Sequence, residues 1–210
     1  MAIKRNKLEQ MKSEARTLLT AGNYAAASAI YQKISRARPG DYDAWFMQGA
    51  INGQLGLLDD AAVCCERAVR LCPDNADALF NLAQVSTRRN DYARAEAVLT
   101  HCVELRPDFA EALNNLGYVL HEQGKLDEAR TAYQRALQVR PDLSGTRYLL
   151  AAIGGTEAPP RAPDEYVRGL FDGFAGHFED CLIGKLRYDM PVVLADSVRH
   201  LLAGHAASVD

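Results

Sequence analysis

The stretch AEALNNLGYVLHEQGKLDEARTAYQRALQVRPDL, residues 110–143, decides how this chain folds. Leu113, Leu116, Gly117 and Leu120 recur at helical intervals, and Ala129, Tyr133 and Ala136 do so again further on. Between the two runs stands Gly124, suited to the positive φ that ends a helix. Pro141 closes the second run, because proline lacks an N–H and its ring clashes with the preceding turn. The stretch therefore predicts two short helices joined by a tight turn.

Working outward, the same unit recurs at a fixed pitch. Pro39, Pro73, Pro107 and Pro141 are equally spaced along the chain. One shared offset holds Ala27, Ala61, Ala95 and Ala129; another holds Ala15, Gly49, Ala83 and Gly117. Tyr31, Cys65, Leu99 and Tyr133 share a third, and Ile34, Ala68, Cys102 and Ala136 a fourth. Tyr24, Leu58, Tyr92 and Leu126 precede the alanines, and Met11, Trp45, Leu79 and Leu113 stand early in each unit. Gly22, Gly56, Asn90 and Gly124 occupy the predicted turns. A small residue on the first helix facing an alanine on the second lets two backbones approach closely. Asp74, Asp108 and Asp142 follow their prolines, where a short acceptor is expected to cap the incoming helix. The register continues for one more helix, Ser144 to Ile153, and fails at Gly154-Gly155. That helix is expected to cover the end of the fourth unit.

The pattern resembles the tetratricopeptide repeat, a helix–turn–helix unit of about 34 residues. Residues 110–143 match it best and 42–75 nearly as well; 76–109 departs at Ser86 and Asn90. Residues 8–41 are weakest, with Met11 and Glu14 at positions usually more apolar. The resemblance implies an all-α fold, a right-handed solenoid of helical hairpins spanning residues 1–155, because a lone hairpin cannot cover its own apolar face.

The family geometry implies a concave face lined by the first helix of each unit. Lys12 and Arg16, Phe46 and Ala50, Phe80, Gln84 and Arg88, and Asn114, Tyr118 and Glu122 then look inward, with Tyr148 extending the row. The aromatics Phe46, Phe80, Tyr118 and Tyr148 make a broken stripe suited to a protein or peptide ligand. The same rings also suit packing between neighbouring helices. Lys12 matches the first lysine of the carboxylate clamp in chaperone-binding members. Arg16, Met47, Asp77 and Asn81 at the next positions break that clamp, and Asp77 would repel a carboxylate. Asn81 and Asn115 match the asparagine ladder of the O-linked N-acetylglucosamine transferase solenoid, whereas Met47 and Ser13 do not.

Composition excludes other classes of function. Of 210 residues 48% are hydrophobic, enough for a sizeable core, and 24 basic residues against 27 acidic ones give a formal charge of −3. That balance argues against a nucleic-acid partner, which demands a concentrated excess of base. No apolar run approaches a membrane span of roughly 18 residues, and no secretory h-region follows the basic start. Five cysteines do not read as a disulfide framework, so a cytoplasmic, reduced protein is expected. Cys65 and Cys102 fall at repeat positions that usually hold apolar residues and read as small buried hydrophobes. Cys64, Cys65 and Cys72 lack CxxC spacing, and His177 with Cys181 offers two ligands where structural zinc takes four, so no metal is expected. No catalytic motif of the nucleophile-elbow, zincin or P-loop kind occurs.

Residues 156–163, with Pro159, Pro160 and Pro163, predict a stiff linker. Beyond it, 164–210 predicts a helical extension in which Val167, Leu170, Phe171, Phe174 and Phe178 share a face. Tyr166 to Glu179, with Leu182, Leu186, Tyr188 and Pro191, resembles the segment joining repeats to catalytic domain in bacterial repeat–methyltransferase fusions. The resemblance implies a longer parent that uses S-adenosylmethionine. The given sequence carries no glycine-rich turn after a strand, so no cofactor site and no catalysis are expected within it. Where the extension lacks its catalytic partner, exposed phenylalanines favour self-association. The expected function is a protein- or peptide-binding scaffold, the non-catalytic N-terminal part of a methyltransferase; the alternative is a stand-alone adaptor or self-associating scaffold with no enzymatic parent.

Overall fold

The computed structural model describes residues 5–154 and residue 164. The chain divides into two units, Met1–Pro163 and Asp164–Asp210, and every described helix belongs to the first. The linker at 156–163 and the expected extension helix, with Phe171, Phe174, Phe178, His177 and Cys181, lie outside the described residues.

Nine helices and no strand occur among the described residues: α1 (Arg5–Thr20), α2 (Tyr24–Ala37), α3 (Tyr42–Gln54), α4 (Leu58–Leu71), α5 (Ala76–Arg88), α6 (Tyr92–Leu105), α7 (Ala110–Glu122), α8 (Leu126–Val139) and α9 (Ser144–Ala152). Each packs on the next in sequence, and α3 also touches α5, as α5 touches α7. Four hairpins and a closing helix thus stack in a row, with the odd-numbered helices along one side.

The first helix of each hairpin ends where the repeat predicts. Gly22, Gly56 and Gly124 have φ of 74°, 76° and 78°, and Asn90 takes the same turn at 59°. The residue after each returns a hydrogen bond to the preceding helix, as in Lys125 N–H to Leu120 O (2.9 Å) and Asp91 N–H to Ser86 O (2.9 Å). These bonds satisfy carbonyls that a helix end would otherwise leave open. Asparagine tolerates this region because its short amide side chain hydrogen-bonds locally.

The caps correct one expectation. Asp41 and Asn75, not Asp74, accept the capping bonds, from Ala44 N–H and Ala78 N–H at 3.0 Å each. Phe109 and Leu143 begin α7 and α9 with no side-chain cap, so Asp108 and Asp142 do not cap either. The reason lies in the connection. Asn75 N–H reaches Cys72 O (3.3 Å) and Phe109 N–H reaches Arg106 O (3.1 Å), closing tight turns with proline second and aspartate third. The aspartate is spent in the turn, and the helix starts one residue later.

The shared offsets form the core. Ala27, Ala61, Ala95 and Ala129, with Tyr31, Cys65, Leu99 and Tyr133, are each at most 1% exposed. In two hairpins a glycine lies directly under its partner, Gly49 under Cys65 and Gly117 under Tyr133, while Ala15 shares a cluster with Tyr31 and Ala83 with Leu99. A Cβ on Gly117 would stand 2.6 Å from the Tyr133 ring, and one on Gly49 would stand 2.6 Å from Cys65 Sγ. Gly117→Ala therefore forces a buried ring aside and should cost about 1–3 kcal/mol. Urea unfolding followed by circular dichroism measures the loss; wild-type stability would contradict the close approach.

Candidate functional site

The odd-numbered helices line two hollows. The larger, about 420 Å³, has α3 on one side (Gly49, Ala50, Gly53, Gln54), α5 beneath (Asn81, Gln84, Val85, Thr87, Arg88) and α7 beyond (Asn115, Tyr118). It exists because α3 offers Ala50 and Gly53 where α5 offers Gln84 and Thr87 and α7 offers Tyr118 and His121. The second, about 340 Å³, lies towards the N-terminus between Lys12 and Arg16 of α1, Tyr31 of α2, Tyr42, Asp43, Phe46 and Met47 of α3, Asn75, and Asp77 of α5.

The candidates from sequence divide between these hollows. Asn81, Gln84, Arg88, Asn115 and Tyr118 come together in the larger, and Lys12, Arg16 and Phe46 in the smaller. Phe80, Asn114, Glu122 and Tyr148 line neither. Phe80 packs on Phe109 with ring centroids 4.8 Å apart, and Arg106 sits 4.6 Å above the Phe109 ring. Asn114 Oδ1 accepts from Thr146 Oγ1 at 2.7 Å, binding α7 to α9. Glu122 Oε2 accepts from the Tyr92 hydroxyl at 3.4 Å, and Tyr148 is half-buried on α9. Gly53, Gln54, Thr87 and Tyr42 join the hollows without having been singled out from sequence, and Tyr31, read there as a repeat position and not as a groove residue, joins them too. The small residues Ala50 and Gly53, one turn apart where later units carry longer side chains, are the signal that would have found the larger hollow.

Charge in the smaller hollow is internally balanced. Lys12 Nζ lies 3.0 Å from Asp41 Oδ1 and 2.8 Å from Asp43 Oδ2, and its side chain is almost wholly buried. Burial disfavours the ammonium, but the bonds to Asp43 and Asp41 outweigh it and raise the Lys12 pKa. Asp77 is likewise occupied, by both guanidinium nitrogens of Arg106 at 2.9 and 3.1 Å. Tyr42 stacks on Phe46 with centroids 5.5 Å apart, and burial pushes its phenol up to about 12, so it stays a donor. In the larger hollow Arg88 donates to the Gly53 carbonyl, tying α5 to the last turn of α3.

Among the described residues, no thiol lines either hollow. Cys64, Cys65 and Cys102 are buried and free, and Cys72 is half-buried. Burial pushes Cys64 and Cys102 up to about 11 and Cys65 to about 12. Among the described residues no cluster of His, Cys, Asp or Glu is placed to hold a metal ion, and no helix is long and apolar enough to cross a membrane.

Residues 26–146 match the family model described as the cytochrome c-type biogenesis protein H TPR domain. No curated protein matches the sequence. Among solved structures, MamA from Desulfovibrio magneticus RS-1, from its residue 41 onward, is 18% identical with a TM-score of 0.67, covering 85% of this chain and 97% of that one. YrrB, described as a TPR protein with an unusual peptide-binding site, is 20% identical with a TM-score of 0.63 over 82% of this chain and 87% of that one. The O-GlcNAc transferase of Thermobaculum terrenum is 24% identical with a TM-score of 0.58, over 65% of this chain and 27% of that one. At these identities the likeness is one of fold.

Two outcomes are expected from the site's electrostatics. Lys12→Met leaves Asp41, whose side chain is only 10% exposed, without its cation and should cost about 2 kcal/mol. The raised lysine pKa means the pair contributes fully below the ordinary lysine value and is lost as pH rises through the folded value. Urea titrations of wild type and variant should therefore differ at neutral pH and converge in strong alkali; equal midpoints at neutral pH would refute the pairing. For the thiols, iodoacetamide at about pH 8 should label Cys72 first and leave Cys64, Cys65 and Cys102 until urea is added, since the thiolate is the nucleophile. Peptide mapping by mass spectrometry distinguishes the sites, and early labelling of Cys65 would contradict its burial.

Proposed function

The chain belongs to the TPR family described by the cytochrome c-type biogenesis protein H domain, and from that premise we propose that it is a scaffold whose groove captures an extended peptide segment of a protein partner. One observation carries the reading: Asn81 and Asn115, at the same position of successive repeats, line the larger hollow together with Gln54 and Gln84. An extended backbone presents a donor and an acceptor at every residue, and a carboxamide supplies both. Tyr118, exposed at the rim, adds a flat surface for a partner side chain. The description of YrrB as having a peptide-binding site supports the same use of the fold. Lys12 and Asp77 are committed to internal ion pairs, which disfavours a carboxylate clamp in the smaller hollow.

The longer methyltransferase parent is a further part of this proposal. It rests on the resemblance of Tyr166 to Glu179 and belongs to residues outside those described. S-adenosylmethionine would be the cofactor of that parent's catalytic domain and not of the repeat groove.

Selection of a phage-displayed peptide library on the full chain tests the reading. Enriched peptides should bind the wild type and lose about tenfold or more on Asn81→Ala with Asn115→Ala, each amide bond contributing on the order of 1 kcal/mol. Circular dichroism should stay unchanged, because both side chains are half-buried at the surface. Equal binding by the double variant would move the site elsewhere.

A further inference from the structure

The seams between successive units can be compared residue by residue, because the register is constant. At one pair of equivalent positions, the last three seams carry Val69 with Leu82, Val103 with Leu116, and Leu137 with Leu150. All six belong to, or pack against, the apolar clusters that run through α4 to α9. The first seam carries Ser35 and Gln48 instead. Both are buried, and Ser35 Oγ stands 3.2 Å from Gln48 Oε1 and 3.1 Å from the Gln32 carbonyl. Ser28 Oγ donates to Asn52 Oδ1 (3.1 Å) across the same seam, and Asn52 is buried too. With Lys12 bonded to Asp43, polar contacts link both helices of the first hairpin to α3.

The apolar core is divided as well, at α3 itself: Ala44, Met47 and Ile51 of α3 pack with the first hairpin and not with the later units. Leu8, Ala15, Ala27, Tyr31 and Ile34 form a cluster of their own with Ala44 and Ile51 of α3. Val69 and Val98 pack against both of the remaining clusters and so join them; among the described residues none joins the first cluster to either. The middle of α3 explains the gap, since Gln48, Gly49, Asn52 and Gly53 stand where α7 has Leu116, Gly117, Leu120 and His121.

We infer that the first hairpin, α1 with α2, is a movable wall of the groove, opening at the Ser35–Gln48 seam while α4 to α9 stay packed. Polar groups uncovered by opening regain hydrogen bonds from water, whereas an uncovered Val–Leu pair regains nothing. The smaller hollow has Lys12, Arg16 and Tyr31 on one side of this seam and Tyr42, Asp43 and Phe46 on the other, so its width follows the opening. The movement belongs to the fold itself and does not require a peptide in the groove.

Native-state hydrogen exchange of the full chain, read by mass spectrometry, tests this without any ligand. Amides of α1 and α2 should exchange about tenfold or more faster than those of α5 to α8, by local opening. S35V with Q48L, which copies the Val69–Leu82 pair, should slow exchange in α1 and α2 by about tenfold and leave α5 to α8 unchanged. Ser35→Ala, which removes the donor facing Gln48, should speed exchange in α1 and α2 alone. Equal protection of all hairpins in the wild type overturns the inference. So does a first hairpin whose exchange neither variant alters, because ordinary fraying of a terminal hairpin would then account for it.

Discussion

Everything in this solenoid depends on how closely the two helices of each hairpin approach. In two units the approach is visible as a direct contact, Gly117 under the Tyr133 ring and Gly49 under Cys65, and the other two carry alanine, Ala15 and Ala83, at the same buried offset. Where that distance is held, the left-handed residue at the turn and the proline after the second helix give the last three hairpins the same length, the first differing only by a longer α1. Equal length is what permits the hairpins to stack, since each must present its apolar face at the height of its neighbour's. The groove is a result of this stacking and not an independent feature.

Within that regular frame the first seam and helix α3 stand apart. Ala50 and Gly53 of α3 leave open the space that becomes the larger hollow, and its buried amides replace the leucines found in later units. Helix α3 thus gives up intrinsic helical stability, which glycine lowers relative to alanine. Arg88 returns part of it by donating to the Gly53 carbonyl. Loss of apolar contact at Gln48 and Asn52 and the opening of a hollow beside Ala50 and Gly53 thus fall on one helix.

The fold was legible because it is periodic. Ala27, Ala61, Ala95 and Ala129 share an offset in the sequence and near-complete burial in the structure, and the turn at Asn90 was placed by register alone. The caps were misplaced by one residue, since nothing local distinguishes Asp74 from Asn75 before the proline turn is seen to absorb the former. The site was legible in part. An offset predicts which face a side chain occupies and not what meets it there. Phe80 lies on the expected helix yet turns to Phe109 at the start of α7, and Lys12 meets Asp41 and Asp43, which lie beyond the whole of α2. Ser35 and Gln48 are ordinary polar residues when taken singly, and their burial against each other emerges only from the packed hairpins.

Uniform pitch ordinarily makes such hairpins interchangeable, so that duplicating or excising a whole unit leaves every junction intact. Ser35 removes that freedom for the opening hairpin. Rejoined to any later unit it would confront Leu82, Leu116 or Leu150, an alcohol marooned against hydrocarbon. The leading module is thereby keyed to a single neighbour, and shuffling during evolution or design is free only downstream of it.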